Sequence, residues 1–348
     1  MVSKVLLVIV TYNAAGYITD CLSSLDKINY PKADLEILII DNNSSDNSVE
    51  LIKRNWPDVT VVANQANLGF AGGNNIGFRY AVDKHFDFVY LLNQDTEADP
   101  DFLINALTVA QTDSKIGAVQ SKLLLFDDQA KINSIGNEIH YLGFGYAGGH
   151  KTKDHSIGER EITYPSGAAS LFSVTALKDV GFFNEEFFMY HEDLDLGWRL
   201  WLAGYRIVLA GQSVVYHKYE FSRSIKKFYF MERNRRLVVF QNYKLGTLIL
   251  IAPACLAMNL MMLGYSFIAG WHRELFRSYA YLLKSENWQK IKKTRQQVQS
   301  KRRVPDREVV KRFVGKIEFQ DLNNPLLKYV VNPVFNFYWL MVRRFIWW

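Results

Sequence analysis

Over the first third of the chain, short apolar runs that stop at polar clusters alternate with stretches whose apolar residues recur at helical spacing. Val5 to Val10 predicts a buried strand, and Tyr17, Ile18, Cys21, Leu22 and Leu25 predict the helix after it. Leu35 to Ile40 predicts a second strand ending at Asp41. The cluster Asn42-Asn43-Ser44-Ser45-Asp46 reads as a turn and cap before a helix from Val49 to Arg54. Val59 to Ala63 predicts a third strand, and a polar, glycine-rich loop from Asn64 to Asn75 leads to a helix through Asp83. Phe88 to Leu92 predicts a strand buried on both faces, followed by a helix from Asp101 to Gln111 and a strand from Ile116 to Gln120. Alternation of this kind predicts an α/β domain with a mostly parallel sheet flanked by helices.

From Ser121 to Pro165 the rhythm breaks, and glycines among Tyr and Phe predict irregular hairpins or a mobile loop. It returns with a strand from Ala168 to Val174, a short helix closed by Gly181, and a helix whose face is Leu194, Trp198, Trp201 and Leu202, ending at Gly204. Tyr205 to Leu209 and Val214 to Tyr216 predict two short strands, the second ending at His217, and Ile225 to Tyr243 predicts a helix. Leu245 to Trp271 contains no charged residue and is long enough to cross a bilayer, although Pro253 and several glycines also fit a kinked or re-entrant segment. The end of the chain, from Val334 to Trp348, is aromatic and Arg-flanked, as headgroup-region segments are. These changes place a catalytic-type domain over residues 1–243 and a helical, hydrophobic and basic region, expected to associate with membrane, over 244–348. A buried helical subdomain or an oligomer interface is the alternative for the second region.

Charge sharpens that division. Between His272 and Lys316 there are fourteen Lys/Arg and four Asp/Glu, a net +10 in a chain whose total is +6. The body is therefore mildly acidic and the tail basic. Because the basic stretch lies between two apolar ones, an anionic lipid surface fits it better than nucleic acid. Two cysteines, Cys21 and Cys255, exclude a disulfide framework and a cysteine-rich metal site. The N-terminal apolar run is too short for a signal-peptide core with flanks and reads as a first strand.

Four polar clusters fall at predicted strand ends: Thr11-Tyr12-Asn13, Asp41, Asn93-Gln94-Asp95 and His217. In open α/β sheets ligands bind just beyond the carboxyl ends of the strands. Asp95 reads either as a carboxylate holding a divalent cation or as a cap for the helix opened by Asp99-Pro100. Thr11 to Asn13, Asp41 and His217 each have a similarly local alternative. The glycine-rich stretch Asn67 to Asn75 is neither G-x-G-x-x-G nor a P-loop, which argues against a dinucleotide-binding or nucleoside-triphosphatase fold. His191-Glu192-Asp193-Leu194-Asp195 packs three carboxylates into four positions beside Phe187, Phe188 and Trp198, so at least one pKa should rise, as suits a general base. Asp195 and Arg199 are spaced to form a helix pair, leaving Glu192 and Asp193 as the better catalytic candidates.

The ordered motifs VTYN (Val10 to Asn13), DNNSSD (Asp41 to Asp46), NLGFAGGNN (Asn67 to Asn75), LLNQDT (Leu91 to Thr96), SGAASLF (Ser166 to Phe172), HEDLDLGWR (His191 to Arg199) and His217 resemble those of family 2 inverting glycosyltransferases of the GT-A fold, a Rossmann-like mixed sheet. The resemblance is strongest to the bacterial rhamnosyltransferase-like group and covers residues 4 to 243. It implies that Thr11, Tyr12, Asn13 and Asp41 hold the nucleotide, with Asn67, Gly69 and Gly72 lining its pocket and Asn93, Gln94 and Asp95 beside the sugar diphosphate. It implies Mg²⁺ or Mn²⁺ bound by Asp95 and His217, with Asn93 where the family's motif has its first aspartate. Asp193, with Glu192 beside it, would deprotonate an acceptor hydroxyl, and Arg233, Arg235 and Arg236 are either charge near the diphosphate or solvated helix arginines. The Gln-x-x-Arg-Trp signature of processive synthases is absent. The expectation is thus a non-processive hexosyltransferase using a nucleotide sugar (dTDP-L-rhamnose first, a UDP-sugar second) on a lipid-linked saccharide. It would work at the cytoplasmic face of the inner membrane in surface polysaccharide assembly, with oligomerisation through the C-terminal region open. The reading from another class is a membrane-anchored binding or scaffold protein that has lost turnover.

Overall fold

The computed structural model describes residues 2–219, 225–318 and 325–348. The chain divides into two compact units, one of residues 1–137, 147–200 and 205–220, the other of 138–146, 201–204 and 221–348.

The first unit is built on β1 (Val5–Thr11), α1 (Ile18–Leu25), β2 (Leu35–Asp41), α2 (Ser48–Asn55), β3 (Thr60–Ala63), α3 (Gly69–Asp83), β4 (Phe88–Leu92), β5 (Thr96–Ala98), α4 (Phe102–Ala110), β6 (Ile116–Leu125) and β7 (Ile132–Ser134). After the two-stranded pair β8 (Asn137–Ile139) and β9 (Gly145–Ala147), most of which belongs to the second unit, come β10 (Arg160–Glu161), β11 (Ala169–Ser173), α5 (Val174–Val180), α6 (Glu192–Leu202) and β12 (Arg206–His217). The main sheet runs β10-β12-β6-β11-β4-β1-β2-β3. β1 pairs in parallel with β2 and β4, β2 with β3 and β6 with β12, whereas β11 is antiparallel to both β4 and β6. The sheet is therefore mixed. The excursion predicted as irregular from Ser121 to Pro165 brings the chain back to the sheet in the opposite direction. The two short strands predicted at Tyr205 to Tyr216 are one strand, β12, with a register shift between Ala210 and Val214.

Successive side chains of a strand point to opposite faces, so a run apolar at every position needs cover on both. Val5, Leu7 and Ile9 meet Ile18, Cys21 and Leu22 of α1 and Phe102 and Leu103 of α4 in one buried cluster. The other face of β1 lies under α3. A Cβ on Gly77 would sit 2.6 Å from Val8 and one on Gly73 2.8 Å from Val10. The glycine-rich stretch is thus largely the start of a helix, and the expected open loop to Asn75 ends at Leu68. Two of its glycines let α3 lie close on β1, and Phe78 of the same helix meets Phe172 edge-on and Phe182 and Phe183 at a tilt.

The second unit is helical: α7 (Lys227–Asn242), α8 (Leu245–Ile268), α9 (His272–Leu283), α10 (Ser285–Ser300), α11 (Asp306–Val309) and α12 (Asn332–Val342). The helix placed before residue 243 in the sequence reading, α7, packs against α9 and α10 within this unit. Its arginines are not solvated. Arg235 and Arg236 share Glu232 at 2.9 Å each, and Arg233 lies over the rings of Tyr229, Phe230 and Tyr281 at 4.9 to 5.3 Å. Tyr141 stacks on Trp339 with centroids 4.6 Å apart.

Candidate active site

The parallel register puts Thr11 opposite Asp41 at the carboxyl ends of β1 and β2, and the Thr11 hydroxyl donates to Asp41 Oδ1 at 3.0 Å. Asp41 also accepts from the Ser44 amide at 3.0 Å and the Ser44 hydroxyl at 2.5 Å. A carboxylate has about four lone-pair sites, so three are taken and about one remains for a ligand. Asn13, in the left-handed region at φ 49°, accepts from the Ser45 amide at 2.9 Å, and its own amide donates to Ser44 Oγ at 2.9 Å. Gln94 fixes the neighbouring peptide: its Oε1 accepts from the Tyr12 amide at 2.9 Å and its Nε2 donates to the Tyr12 carbonyl at 3.4 Å. The Tyr12 ring beside this clamp is half exposed. Asn67 is exposed and accepts the Gly69 amide at 2.8 Å, capping the first turn of α3. Gly69 links it to the edge, its carbonyl accepting from Asn42 Nδ2 at 2.9 Å. Gly69 has φ +71° and a Cβ there would lie 2.3 Å from the Phe188 carbonyl oxygen, so no other residue fits without movement. Gly72 sits inside α3, its Cβ position 2.8 Å from Leu68, so it does not line the loop between strand and helix.

Asp95 and His217 are brought together by topology. After β4 the chain turns, with the Asn93 amide donating to the Ala168 carbonyl at 2.9 Å and the Thr96 hydroxyl to the Asn93 carbonyl at 2.7 Å. β5 then pairs with the end of β12, Thr96 opposite His217. His217 Nε2 lies 3.4 Å from Asp95 Oδ1, and Lys218 anchors the strand by donating its amide to the Asp95 carbonyl at 2.9 Å. His217 Nδ1 faces Asn133 Oδ1 at 3.0 Å. An amide oxygen only accepts, so in the neutral ring this contact favours the proton on Nδ1 and the lone pair on Nε2. That is the tautomer a metal ligand needs, held by the kind of outer partner such ligands have. Two donors ~2.1 Å from one cation and about 100° apart are about 3.2 Å from each other, so the observed separation fits a shared cation. Among the described residues no third His, Cys, Asp or Glu joins them. The remaining positions would fall to water or phosphate oxygens, as Mg²⁺ sites commonly arrange.

The third feature is the start of α6. The preceding segment is strained: Phe188, Tyr190 and His191 all have φ between 62° and 71°, and the Met189 amide donates back to the Phe187 carbonyl at 2.6 Å. It delivers Glu192 and Asp193 to the first turn of the helix. Asp193 accepts from the Leu194 amide at 2.7 Å and the Gly167 amide at 3.2 Å, just ahead of β11. Burial nevertheless pushes its carboxyl up to about 6, against the lowering effect of those two amides. Glu192 is 6% exposed, and its Oε2 has no hydrogen-bond partner among the described residues. Burial and then the Asp193 charge hold it well above the ordinary carboxylate range. The Asp195–Arg199 pair is a buried clamp at 2.7 Å, and the guanidinium also donates to the carbonyls of Val180, Gly181 and Phe182. Asn133 and Gly167 belong to the site's support and carry no local signal, since Asn133 is 84 positions from the histidine it holds.

The sequence model described as glycosyl transferase family 2 matches residues 6–181. A poly-beta-1,6-N-acetyl-D-glucosamine synthase of Staphylococcus aureus (strain MSSA476) is 33% identical over 199 residues, 56% of this chain and 45% of the relative. The chain thus spans about half the length of the curated relatives it matches. Among solved structures, the mannosyltransferase PcManGT of Pyrobaculum calidifontis, with GDP-Man and Mn²⁺, aligns over 86% of this chain and 87% of its own with TM-score 0.53 and 18% identity. S. aureus TarS 1–349 in complex with UDP aligns over 98% and 90% with TM-score 0.51 and 18% identity. These two likenesses establish the fold, the GT-A arrangement of a mixed sheet flanked by helices. With half of its length matched by the family's sequence model and that fold carrying its strand-end residues, the chain belongs to glycosyl transferase family 2.

Proposed function

We propose that the protein is an inverting, non-processive glycosyltransferase that moves a sugar from a nucleotide-sugar donor to a hydroxyl of a lipid-linked saccharide in cell-surface polysaccharide synthesis. The observation that carries this reading is Asp193: a carboxylate in the first turn of α6, tied to the segment just ahead of β11 by the Gly167 amide at 3.2 Å and raised to about 6, in the same unit as the Thr11–Asp41 and Asp95–His217 pairs. The Thr11–Asp41 loop, with Asn13 and the Tyr12 ring, binds the nucleoside. Asp95 and His217 would hold Mg²⁺ or Mn²⁺, which when bound neutralises the diphosphate of the departing nucleotide. The Asp193 carboxylate takes the proton of the acceptor hydroxyl as its oxygen bonds to the anomeric carbon, opposite the breaking bond to the diphosphate, so the configuration inverts. Glu192 stands beside it, its carboxyl held well above the ordinary range by burial and by the Asp193 charge, so the pair resists a second negative charge.

The donor placed first is dTDP-L-rhamnose, on the resemblance of the motifs to rhamnosyltransferases. A UDP-linked sugar is the second reading, favoured by relatives named as synthases of poly-beta-1,6-N-acetyl-D-glucosamine. The second unit would attach to the cytoplasmic face of the inner membrane, beside a lipid-linked acceptor; what supports membrane attachment is α8, long and apolar enough to cross a bilayer and mostly exposed along its most apolar stretch. Calorimetric titration of dTDP, UDP and GDP with Mg²⁺ or Mn²⁺, on wild type and Asp95→Ala, tests the site. Metal-dependent binding of one nucleotide, weakened in the variant, supports the proposal and selects the donor class. Binding indifferent to metal and to the substitution removes the role given to Asp95, and no binding by folded protein returns the scaffold alternative.

A further inference from the structure

α8 divides lengthwise. Thr247, Ile251, Ala254, Met258 and Ser266 form the buried stripe, at the spacing of one helix face. The opposite side carries Leu245, Ile249, Leu256, Leu260, Phe267 and Ile268, each between 56% and 86% exposed. A helix of this length runs ~36 Å, so this is a long apolar strip with no charged side chain in it. α12 lies against α8 within the unit, with the Tyr338 hydroxyl donating to the Leu250 carbonyl at 2.6 Å and Trp348 Nε1 to Thr247 Oγ1 at 2.8 Å. It adds exposed Val334, Phe337 and Met341. Exposed cations border these residues: Lys328 beside Tyr329, and Arg343 and Arg344 beside Phe345 and Trp347.

The buried stripe is tied to charges at two levels. At the N-terminal end the Lys244 amide and the Thr247 hydroxyl donate to Asp306 Oδ2 at 2.8 and 2.6 Å, and Asp306 is ion-paired with Arg302 at 2.7 Å, both almost fully buried. Twelve residues on, Asn259 Oδ1 accepts from Arg235 at 3.2 Å, and Arg235 is paired with buried Glu232. These two levels are ~18 Å apart along the axis. A bilayer-spanning α8 would draw one or both clusters into hydrocarbon, where ionised groups are strongly disfavoured. Resting on the membrane reading above, we propose that α8 and α12 form an in-plane docking face: α8 lies flat in the headgroup–acyl boundary of an anionic leaflet, its apolar strip immersed and its ion-paired side above the lipid, and it does not cross. The aromatic and cationic border matches the headgroup level of such a surface.

The test uses the full chain with vesicles of phosphatidylcholine containing phosphatidylglycerol, and of phosphatidylcholine alone. In a Cys255→Ser background that keeps the fully buried Cys21, one accessible cysteine at a time replaces Leu245, Leu256 or Ile268, is labelled with an environment-sensitive fluorophore and is quenched by lipids brominated at different depths. The expected result is one shallow depth for all three labels, binding weakened more than about tenfold without the anionic lipid, and a comparable loss in the triple variant Ile249→Glu, Leu256→Glu, Leu260→Glu. Retained nucleotide binding and circular dichroism show that the triple variant is folded. A deep centre with shallow ends overturns the in-plane geometry while leaving membrane association standing. Failure of folded wild type to bind either vesicle overturns both, and a dimer in solution dissociated by the triple variant assigns the face to a second copy instead.

Discussion

Two buried carboxylate clusters, one in each unit, have opposite surroundings. Glu232 lies between Arg235 and Arg236 at 2.9 Å from each, and the trio joins α7 to its neighbours through Asn259 and Ser278. Buried Glu192 and partly exposed Asp193 instead face each other, main-chain amides and apolar walls, with no cation at hydrogen-bonding distance among the described residues. The difference teaches that burial alone does not mark a chemical site. An acid enclosed with guanidinium groups stays ionised and serves packing, and removing its charge strands the cations. An acid pair enclosed without a counter-charge has its carboxyls pushed above the ordinary range, towards the pH at which a proton is exchanged.

The largest effect that would break this comparison is at Asp193. Asp193→Asn should lower the transfer rate about 10²- to 10⁴-fold with the fold intact, measured as nucleoside diphosphate release in the presence of acceptor. In wild type the rate at low substrate should fall as pH drops through about 6, because the carboxylate must be ionised to accept the proton. Stability should run the other way. A folded pKa raised above the unfolded value near 3.9 means that the favourable contribution is complete below that value and is lost as pH rises through about 6. Asp193→Asn should therefore melt above wild type at neutral pH, with the gap closing at acid pH. Glu232→Gln should do the converse: a loss of about 3–5 kcal/mol in denaturant unfolding, with no shift of the acid limb of the rate. If Glu232→Gln unfolds like wild type, the two clusters differ less than their geometry implies.

The sequence made the strand ends legible because chemistry and pattern coincide there. An apolar run that stops at a polar group marks both the end of a strand and the edge of a sheet, so Thr11, Asp41, Asn93 to Asp95 and His217 could be placed without coordinates. What was not legible came from two physical sources. Glycines read as loop formers at Gly72 and Gly73 are helical, because the demand they answer is a close approach of α3 to β1, a tertiary contact that propensity does not encode. The arginines of α7 looked solvated because their counter-charge, Glu232, and their aromatic cover are visible only once the helices pack. The meeting of Asp95 with His217 was expected from resemblance alone. Its local cause, the crossing of the chain from the end of β4 to pair β5 with β12, appears only in the register.

Smaller effects sharpen the comparison at the strand-end pair. Asp95→Ala and His217→Ala should each weaken metal-dependent nucleotide binding about 10- to 100-fold and leave binding in chelator unchanged. Asn133 offers the finest probe, since its side-chain oxygen meets the site at the histidine. With its Oδ1 gone, Nδ1 loses the acceptor that fixes its proton, and the ring can rotate or take the other tautomer, which turns a protonated Nε2 towards Asp95. Asn133→Ala should then cost about tenfold in metal-dependent affinity, whereas Asn133→Asp, which keeps the acceptor and adds charge behind the ring, should restore it. Calorimetry of the same nucleotide with and without Mn²⁺ separates this positioning role from a general loosening of β7, which would lower the melting temperature of both variants and weaken binding in chelator as well.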